Sequence, residues 1–349
     1  MHTLETWSAR SVISWPLADP GSASGCAAQE RRFGAARPAR QGPSQRRIPE
    51  CSGPLLPLMT DTSRVQISVI VPTRDRLELL RRTLDHLASG AQTLAAAQYE
   101  VIVSDDARPP TAAQALATSH PWVRVVEGPA SGPAANRNAG ARAARHDWLA
   151  FTDDDTEPRS DWLAAYARVV APGTEVYEGR TTCDGGFGSP LYHAPVNETG
   201  GRLWSCNFMA SAAVFRRAGG FDEGYRFPHM EDQDLRVRFE ALGARAQFVR
   251  DAVVNHPPRR QPDGARLGAY RESEVRFHVK HHGRPEARMA LLRRVVRYRL
   301  GVIRDTPKSW DTVTALWSMA REAAHVVAQL PSWERRALAE FGAQALGNA

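Results

Sequence analysis

Between residues 65 and 152, four short apolar runs alternate with stretches of helical periodicity, and each run ends on polar residues. Residues 66–71 (QISVIV), 99–104 (YEVIVS), 123–126 and 148–152 (WLAFT) read as buried strands. Residues 77–88, 112–118 and 138–145 read as the helices between them. Strands that alternate with helices form a parallel sheet, because a parallel pair needs a crossover, and the helices then cover both faces. Ligands of such sheets bind beyond the carboxyl ends of the strands. Thr73-Arg74-Asp75, Asp105-Asp106 and Asp153-Asp154-Asp155 stand at those ends and converge on one crevice.

Beyond residue 175 the alternation weakens. A strand over 175–179 leads to a Gly-rich loop at 183–189. Residues 205–215 suit either a strand or a buried helix start. A helix is expected over 231–242 and a strand over 246–249, followed by a strand-like stretch at 251–254. Residues 266–345 read as a helical C-terminal extension. Within it, residues 286–304 set Leu291, Leu292, Val295, Val296, Tyr298, Val302 and Ile303 on one side. Arg293, Arg294, Arg297 and Arg304 fall on the other, which makes an amphipathic basic helix. A solvated arginine face on a packed helix explains this pattern; peripheral docking on an anionic membrane surface also does. Residues 1–58 are rich in Arg, Pro, Gly and Ser without apolar period, so the segment 1–60 reads as a disordered basic extension. Met59 offers an alternative start just before the first strand.

The 349 residues are 42% hydrophobic, enough for a sizeable core. A net charge of +7 suits phosphate-rich ligands without choosing among sugar nucleotides, nucleic acid and membranes. Cys26, Cys51, Cys183 and Cys206 form no CxxC pair, which argues against a zinc knuckle and for a reducing, cytoplasmic setting. No apolar run reaches the length of a membrane span. No secretory signal pattern opens the chain, so the Asn197-Glu198-Thr199 sequon is expected to carry no glycan.

Asp153-Asp154-Asp155 repel one another and so favour a divalent cation, and carboxylates with diphosphate oxygens suit Mg²⁺ or Mn²⁺. An acidic cap before Trp162 is the plainer account of the same residues. Asp105-Asp106 can accept from a base or a ribose hydroxyl, or simply form a turn. Arg137 can contact a diphosphate or a carboxylate, while Asn136 or Asn138 caps the helix that starts there. Glu231 and Asp232 open a helix, where the macrodipole favours acids; Asp232 can equally serve as a general base. His256 is either structural or a metal ligand.

Taken in order, these pieces resemble the inverting, GT-A-fold glycosyltransferases of family 2. The matching segments are ISVIVPTRDR (67–76), VSDDA (103–107), RNAG (137–140), FTDDD with Glu157-Pro158 (151–158), NFMASAAVFRRAGGFDE (207–223), MEDQDL (230–235) and NH (255–256). The resemblance covers residues 65–260. It implies a Rossmann-like, mostly parallel sheet flanked by helices. It also implies transfer of a sugar from a nucleotide-diphosphate donor, a UDP-sugar first, to a glycan or lipid-linked hydroxyl in cell-surface polysaccharide synthesis. Pro72, Thr73 and Arg74 would line the base pocket, with Asp105 and Asp106 on the base or ribose. Asp153 and Asp154 would lie by the ribose and diphosphate, with Arg137 nearby. Asp155 and His256 would bind Mn²⁺ or Mg²⁺. Asp232 would be the base, Glu231 would touch the acceptor, and Trp204 and Asn207 would wall the donor sugar or acceptor. Ala107-Arg108-Pro109 departs from the Gly-Ser that family members often carry after the second-strand acids, which puts the nucleotide preference in doubt. A nucleotidyltransferase is disfavoured because residues 72–76 contain no glycine, and nucleic-acid binding would rest on charge alone. A non-catalytic sugar-nucleotide or glycan-binding module is the remaining alternative.

Overall fold

The computed structural model describes residues 65–345. The expected extension over 1–60, the Met59 start, Cys26 and Cys51 lie outside the described residues. The first half runs β1 (Ile67–Thr73), α1 (Leu77–Leu87), β2 (Tyr99–Asp105), α2 (Ala112–Leu116), β3 (Arg124–Glu127), α3 (Pro133–Ala143) and β4 (Trp148–Phe151). Then follow β5 (Glu157–Pro158), α4 (Trp162–Val169), β6 (Val176–Thr182), β7 (Tyr192–His193), β8 (Phe208–Ser211), α5 (Ala212–Arg217), α6 (Glu231–Ala241), β9 (Ala246–Asn255) and β10 (Arg259–Arg260). Three helices close the described chain: α7 (Gly264–His282), α8 (Arg288–Arg304) and α9 (Trp310–Ala345).

One sheet has the order β3-β2-β1-β4-β8-β6-β9-β5. Strands β3, β2, β1 and β4 are parallel, as the alternation requires. Strand β8 runs against both β4 and β6, and β5 against β9, so the second half is mixed. Residues 205–215 resolve into both expected alternatives, strand β8 and then helix α5. The two strands expected at 246–249 and 251–254 are one strand. Its register against β6 jumps from Gly179↔Val249 to Arg180↔Val253, so residues 250–252 bulge out. Helix α3 begins at Pro133, earlier than its expected start at 138. Gly132 is its cap, and Asn136 and Asn138 lie inside the helix rather than capping it.

On one face of the sheet, Ile67, Val69 and Val71 pack with Leu80, Leu84 and Leu87 of α1 and with Trp162 and Tyr166 of α4. Helix α3 covers the other face at close range. A Cβ on Gly140 would stand 2.6 Å from Ile70 Cγ2, so the glycine of RNAG permits the helix–strand contact. The sequon's Asn197 is buried, and its amide donates to Glu178 Oε2 at 3.3 Å.

The C-terminal helices form a second, partly ionic core. Val275, Val279, Leu291, Val295, Val326, Leu330 and Trp333 pack together. Beside them, Glu322, wholly buried, accepts from Arg271 at 2.8 Å and from Arg299 at 2.7 Å. Glu274 accepts from Arg271 and Arg294, and it meets His229 at 2.9 Å. The side of α8 expected to be solvated is therefore split, because Arg294 turns inward to Glu274 and Glu286. His229 precedes α6, so this network ties the extension to the segment that carries Glu231 and Asp232.

Helix α7 approaches α9 through Gly264 and Gly268. A Cβ at Gly264 would meet the Ser318 carbonyl oxygen at 2.0 Å. That oxygen is backbone and cannot step aside. Gly264→Ala is expected to cost about 1–3 kcal/mol by overpacking, read as a lower thermal midpoint. An unchanged midpoint would mean that the helices part without cost.

Candidate active site

The register that aligns Ile67 with Tyr99 and with Trp148 also levels the strand ends. Thr73 closes β1, Asp105 closes β2 and Asp153 follows β4. Thr73 donates its hydroxyl to Asp154 Oδ2 at 2.6 Å. Helix α6 reaches the same crevice from the far side of the sequence. Met230, its cap, is left-handed with φ 72°. Among the described residues, the other non-glycine residues with positive φ are Asp75, Ala130 and Leu203. Ala130 and Leu203 are held by site carboxylates. Ala130 donates its N–H to Asp106 at 2.6 Å, and Leu203 donates to Glu178 at 2.8 Å. Strained non-glycine backbone persists where surrounding bonds over-determine it.

Arg137 is the ionic centre. It is 3% exposed and reaches Asp153 at 2.7 Å and Glu231 at 3.0 Å, joining α3, β4 and α6 through one guanidinium. Arg76 bridges Asp154 at 2.5 Å and Asp155 at 2.9 Å, and Arg259 reaches Asp155 at 2.7 Å. With Asp232 next to Glu231, five carboxylates face these three guanidiniums, which leaves an excess of two negative charges if all are ionised. Burial pushes Glu231 up to about 7, and the neighbouring Asp232 adds to the rise while Arg137 opposes it. Burial also lifts Asp232 to about 6, against hydrogen bonds from Gln233 and Ser205 and the charge of Arg137. Asp154 rises to about 7, chiefly through burial, with Asp155 adding to it against Arg76. Burial acts on Asp153 in the same sense, but Arg137 outweighs it and holds that carboxyl below its ordinary value.

Asp153, Asp155 and His256 offer ligand atoms within 4.8 Å of one another. His256 is fully buried, and its Nδ1 lies 3.1 Å from the Pro257 carbonyl oxygen. A proton on Nδ1 makes that bond and leaves a lone pair on Nε2, the tautomer of a metal-bound imidazole. Nε2 has no hydrogen-bond partner and faces Asp155 Oδ1, also unpartnered, at 3.4 Å. In this tautomer the two buried acceptors that face each other would be satisfied by a cation between them. The donor set fits Mn²⁺ and accommodates Mg²⁺ less readily, because Mg²⁺ prefers oxygen alone.

Several expected residues occupy different roles. Asp105 caps α2, and its oxygens accept from Ala107, Thr111 and Ala112 backbone N–H groups, each within 2.9 Å. Asn207 is buried and saturated. Its Oδ1 accepts from Trp162 and Tyr166, and its Nδ2 donates to the Arg180 and Ala252 carbonyls, which leaves no free group for a sugar. Trp204, half-buried, donates its indole N–H to Val196. Arg74 is exposed beside Asp75, and Arg76 is the arginine of that loop that turns to the carboxylates. Pro72 is buried at the end of β1. Arg76, Arg259 and Glu178 carry roles that sequence reasoning did not assign. An acid in the middle of an apolar strand was the available signal for Glu178. Nothing in the spacing marks Arg259.

Beyond this geometry, residues 68–191 match the sequence model of glycosyl transferase family 2. The mixed sheet with its flanking helices and C-terminal helical region accords with the GT-A arrangement that the resemblance implies. The match covers about a third of the chain and makes that segment similar to this family. It is 29% identical over 240 residues to a pre-mycofactocin glycosyltransferase of Mycobacterium tuberculosis, a match over 63% of this chain and 49% of that protein. The chain thus spans about half the length of that relative. It is 28% identical over 270 residues to a validoxylamine A glucosyltransferase of Streptomyces hygroscopicus subsp. jinggangensis, over 63% of this chain and 62% of that one. Among solved structures, a mannosyltransferase of Pyrobaculum calidifontis in complex with GDP-Man and Mn²⁺ superposes with a TM-score of 0.47 at 19% identity. It covers 82% of this chain and 81% of its own.

Replacing Arg137 by Met leaves Asp153 and Glu231 buried without their partner. The expected loss is about 3–5 kcal/mol of stability at neutral pH. At pH 5 the loss shrinks, because carboxyls deprived of Arg137 take up protons more readily. Denaturant unfolding at both pH values checks this; equal losses would contradict it.

Proposed function

We propose that the chain is an inverting glycosyltransferase that moves a sugar from a nucleotide-diphosphate donor, a UDP-sugar first, to a hydroxyl of a glycan or lipid-linked acceptor in cell-surface glycan synthesis. The observation that carries this reading is the pair of orphan acceptors, His256 Nε2 and Asp155 Oδ1, buried beside Asp153 at the strand ends. Asp155, His256 and Asp153 would hold a divalent cation, and when bound it supplies positive charge against the departing diphosphate. Pro72, Thr73 and Asp106 border the base and ribose, with Arg74 at the rim. Arg137 fixes Asp153 and Glu231 in place while Asp154 is steadied by Thr73 and Arg76.

Asp232 acts as the general base. Backbone N–H groups of Gln233 at 2.7 Å and Ser205 at 3.4 Å orient its carboxylate. As the acceptor oxygen bonds to the anomeric carbon, its proton passes to Asp232 and the bond to the diphosphate breaks. One displacement by one base inverts the anomeric centre. Burial that lifts Asp232 to about 6 makes it a stronger base while leaving it mostly ionised at neutral pH.

Asp232→Asn is expected to lower turnover by about 10²-fold or more and to leave nucleotide binding nearly intact. Surviving turnover would remove Asp232 from this role. In the wild type, kcat/KM should fall as pH drops through about 6, where the base takes up a proton; a flat acid limb would contradict the assignment. Thermal shifts with UDP, GDP, dTDP and ADP, with and without Mn²⁺, test the donor class. One metal-dependent shift names the base. No shift from a folded sample would favour a module that binds without transferring.

A further inference from the structure

Helix α9 carries an apolar stripe that nothing among the described residues covers. Trp310 is 86% exposed, Trp317 67%, Val313 55% and Leu316 42%. Trp310, Val313, Trp317, Ala320, Ala324 and Val327 follow one another at spacings of three and four, so they share one face. The opposite face, with Ala315, Val326 and Leu330, is buried. Exposed tryptophans two turns apart on one helix face are uncommon on a free surface, and a patch of this kind marks an interaction site.

Charge on α8, the helix that packs on α9, limits what can cover the stripe. Helix α8 lies antiparallel along α9, since Arg299 meets Glu322 while Arg288 meets Glu334. Residues 288–304 contain six arginines and no acid. Arg288, Arg294, Arg299 and Arg304 are paired. Arg293 and Arg297 are exposed and, among the described residues, have no ionic partner. Arg321, on α9 itself, lies 3.6 Å from Asp263 and is half-exposed. Two copies that met through this face would bring like charges together, and the acids beside the stripe, Asp305 and Asp311, are engaged by Arg304 at 2.7 Å and by the Ser189 hydroxyl at 2.6 Å rather than free to bridge a helix pair. An anionic lipid surface suits both features. Tryptophan settles at the boundary between headgroups and acyl chains, and arginine answers the lipid charge.

We infer that the α8–α9 face docks the protein on an anionic membrane surface, with Trp310, Val313, Leu316 and Trp317 entering the interface and Arg293 and Arg297 on the headgroups. No helix among the described residues is long and apolar enough to cross a membrane, so the contact is peripheral. The inference does not depend on the glycosyltransferase reading.

Sedimentation of the full chain with vesicles tests it. Binding is expected to vesicles of equal parts phosphatidylcholine and phosphatidylglycerol, with weak binding to phosphatidylcholine alone. Each of Arg293→Gln and Arg297→Gln should weaken the binding about fivefold. Trp310→Ser with Trp317→Ser should weaken it at least about tenfold, with the thermal midpoint unchanged because both side chains are exposed. The tryptophan emission of the wild type should shift to the blue with anionic vesicles only. Equal binding to neutral vesicles, no binding, or full binding by the double tryptophan variant would overturn the inference. A dimer in light scattering that the double tryptophan variant abolishes, in a protein that ignores vesicles, would assign the face to a second copy instead.

Discussion

An excess of buried carboxylate over guanidinium governs this molecule. Asp153, Asp154, Asp155, Glu231 and Asp232 lie in one crevice with Arg76, Arg137 and Arg259 among them. Acids so placed either take up protons or attract cations. Both responses are visible here. Glu231, Asp232 and Asp154 have pKa values lifted toward neutrality, mainly by burial. Asp155 and His256, in contrast, present unpartnered atoms to each other. A site that is stable but incompletely neutralised is suited to a ligand that brings positive charge and a polyanion together.

The scaffold is arranged to hold that crevice. Gly140 lets α3 close on β1, which carries Arg137 over the strand ends. Glu178 gathers the backbone of residues 201–203 and so sets the loop that leads to Ser205, a donor to Asp232. His229, just ahead of the strained Met230, is held by Glu274, itself locked by Arg271 and Arg294. The C-terminal helices therefore reach the acid pair of α6 through buried charge. The same helices present their outer surface to solvent with two bare tryptophans. One extension thus combines an inward ionic face with an outward apolar one.

Much of the parallel half was legible because strand burial and helix periodicity are local properties. The runs at 66–71 and 148–152 became β1 and β4 with small shifts of boundary. The reversed strand β8 and the bulge in β9 depend on partners distant in sequence, so the local pattern split β9 in two. The acidic cluster could be read from spacing, since charge at strand ends is local too. The roles of its neighbours could not. Asp105 and Asn207 carry the right chemistry for ligands, but backbone amides and two buried aromatic side chains consume it. Arg259 lies 104 residues from its partner Asp155, beyond the reach of any motif spacing.

We propose that Asp153, Asp155 and His256 form a divalent-cation site. Anomalous diffraction at the manganese edge, from crystals grown with Mn²⁺ and UDP, tests it most directly. A peak bonded to His256 Nε2 and to oxygens of Asp155 and Asp153 is expected. A peak elsewhere in the crevice, or none at saturating Mn²⁺, with His256 still facing Asp155, would contradict it.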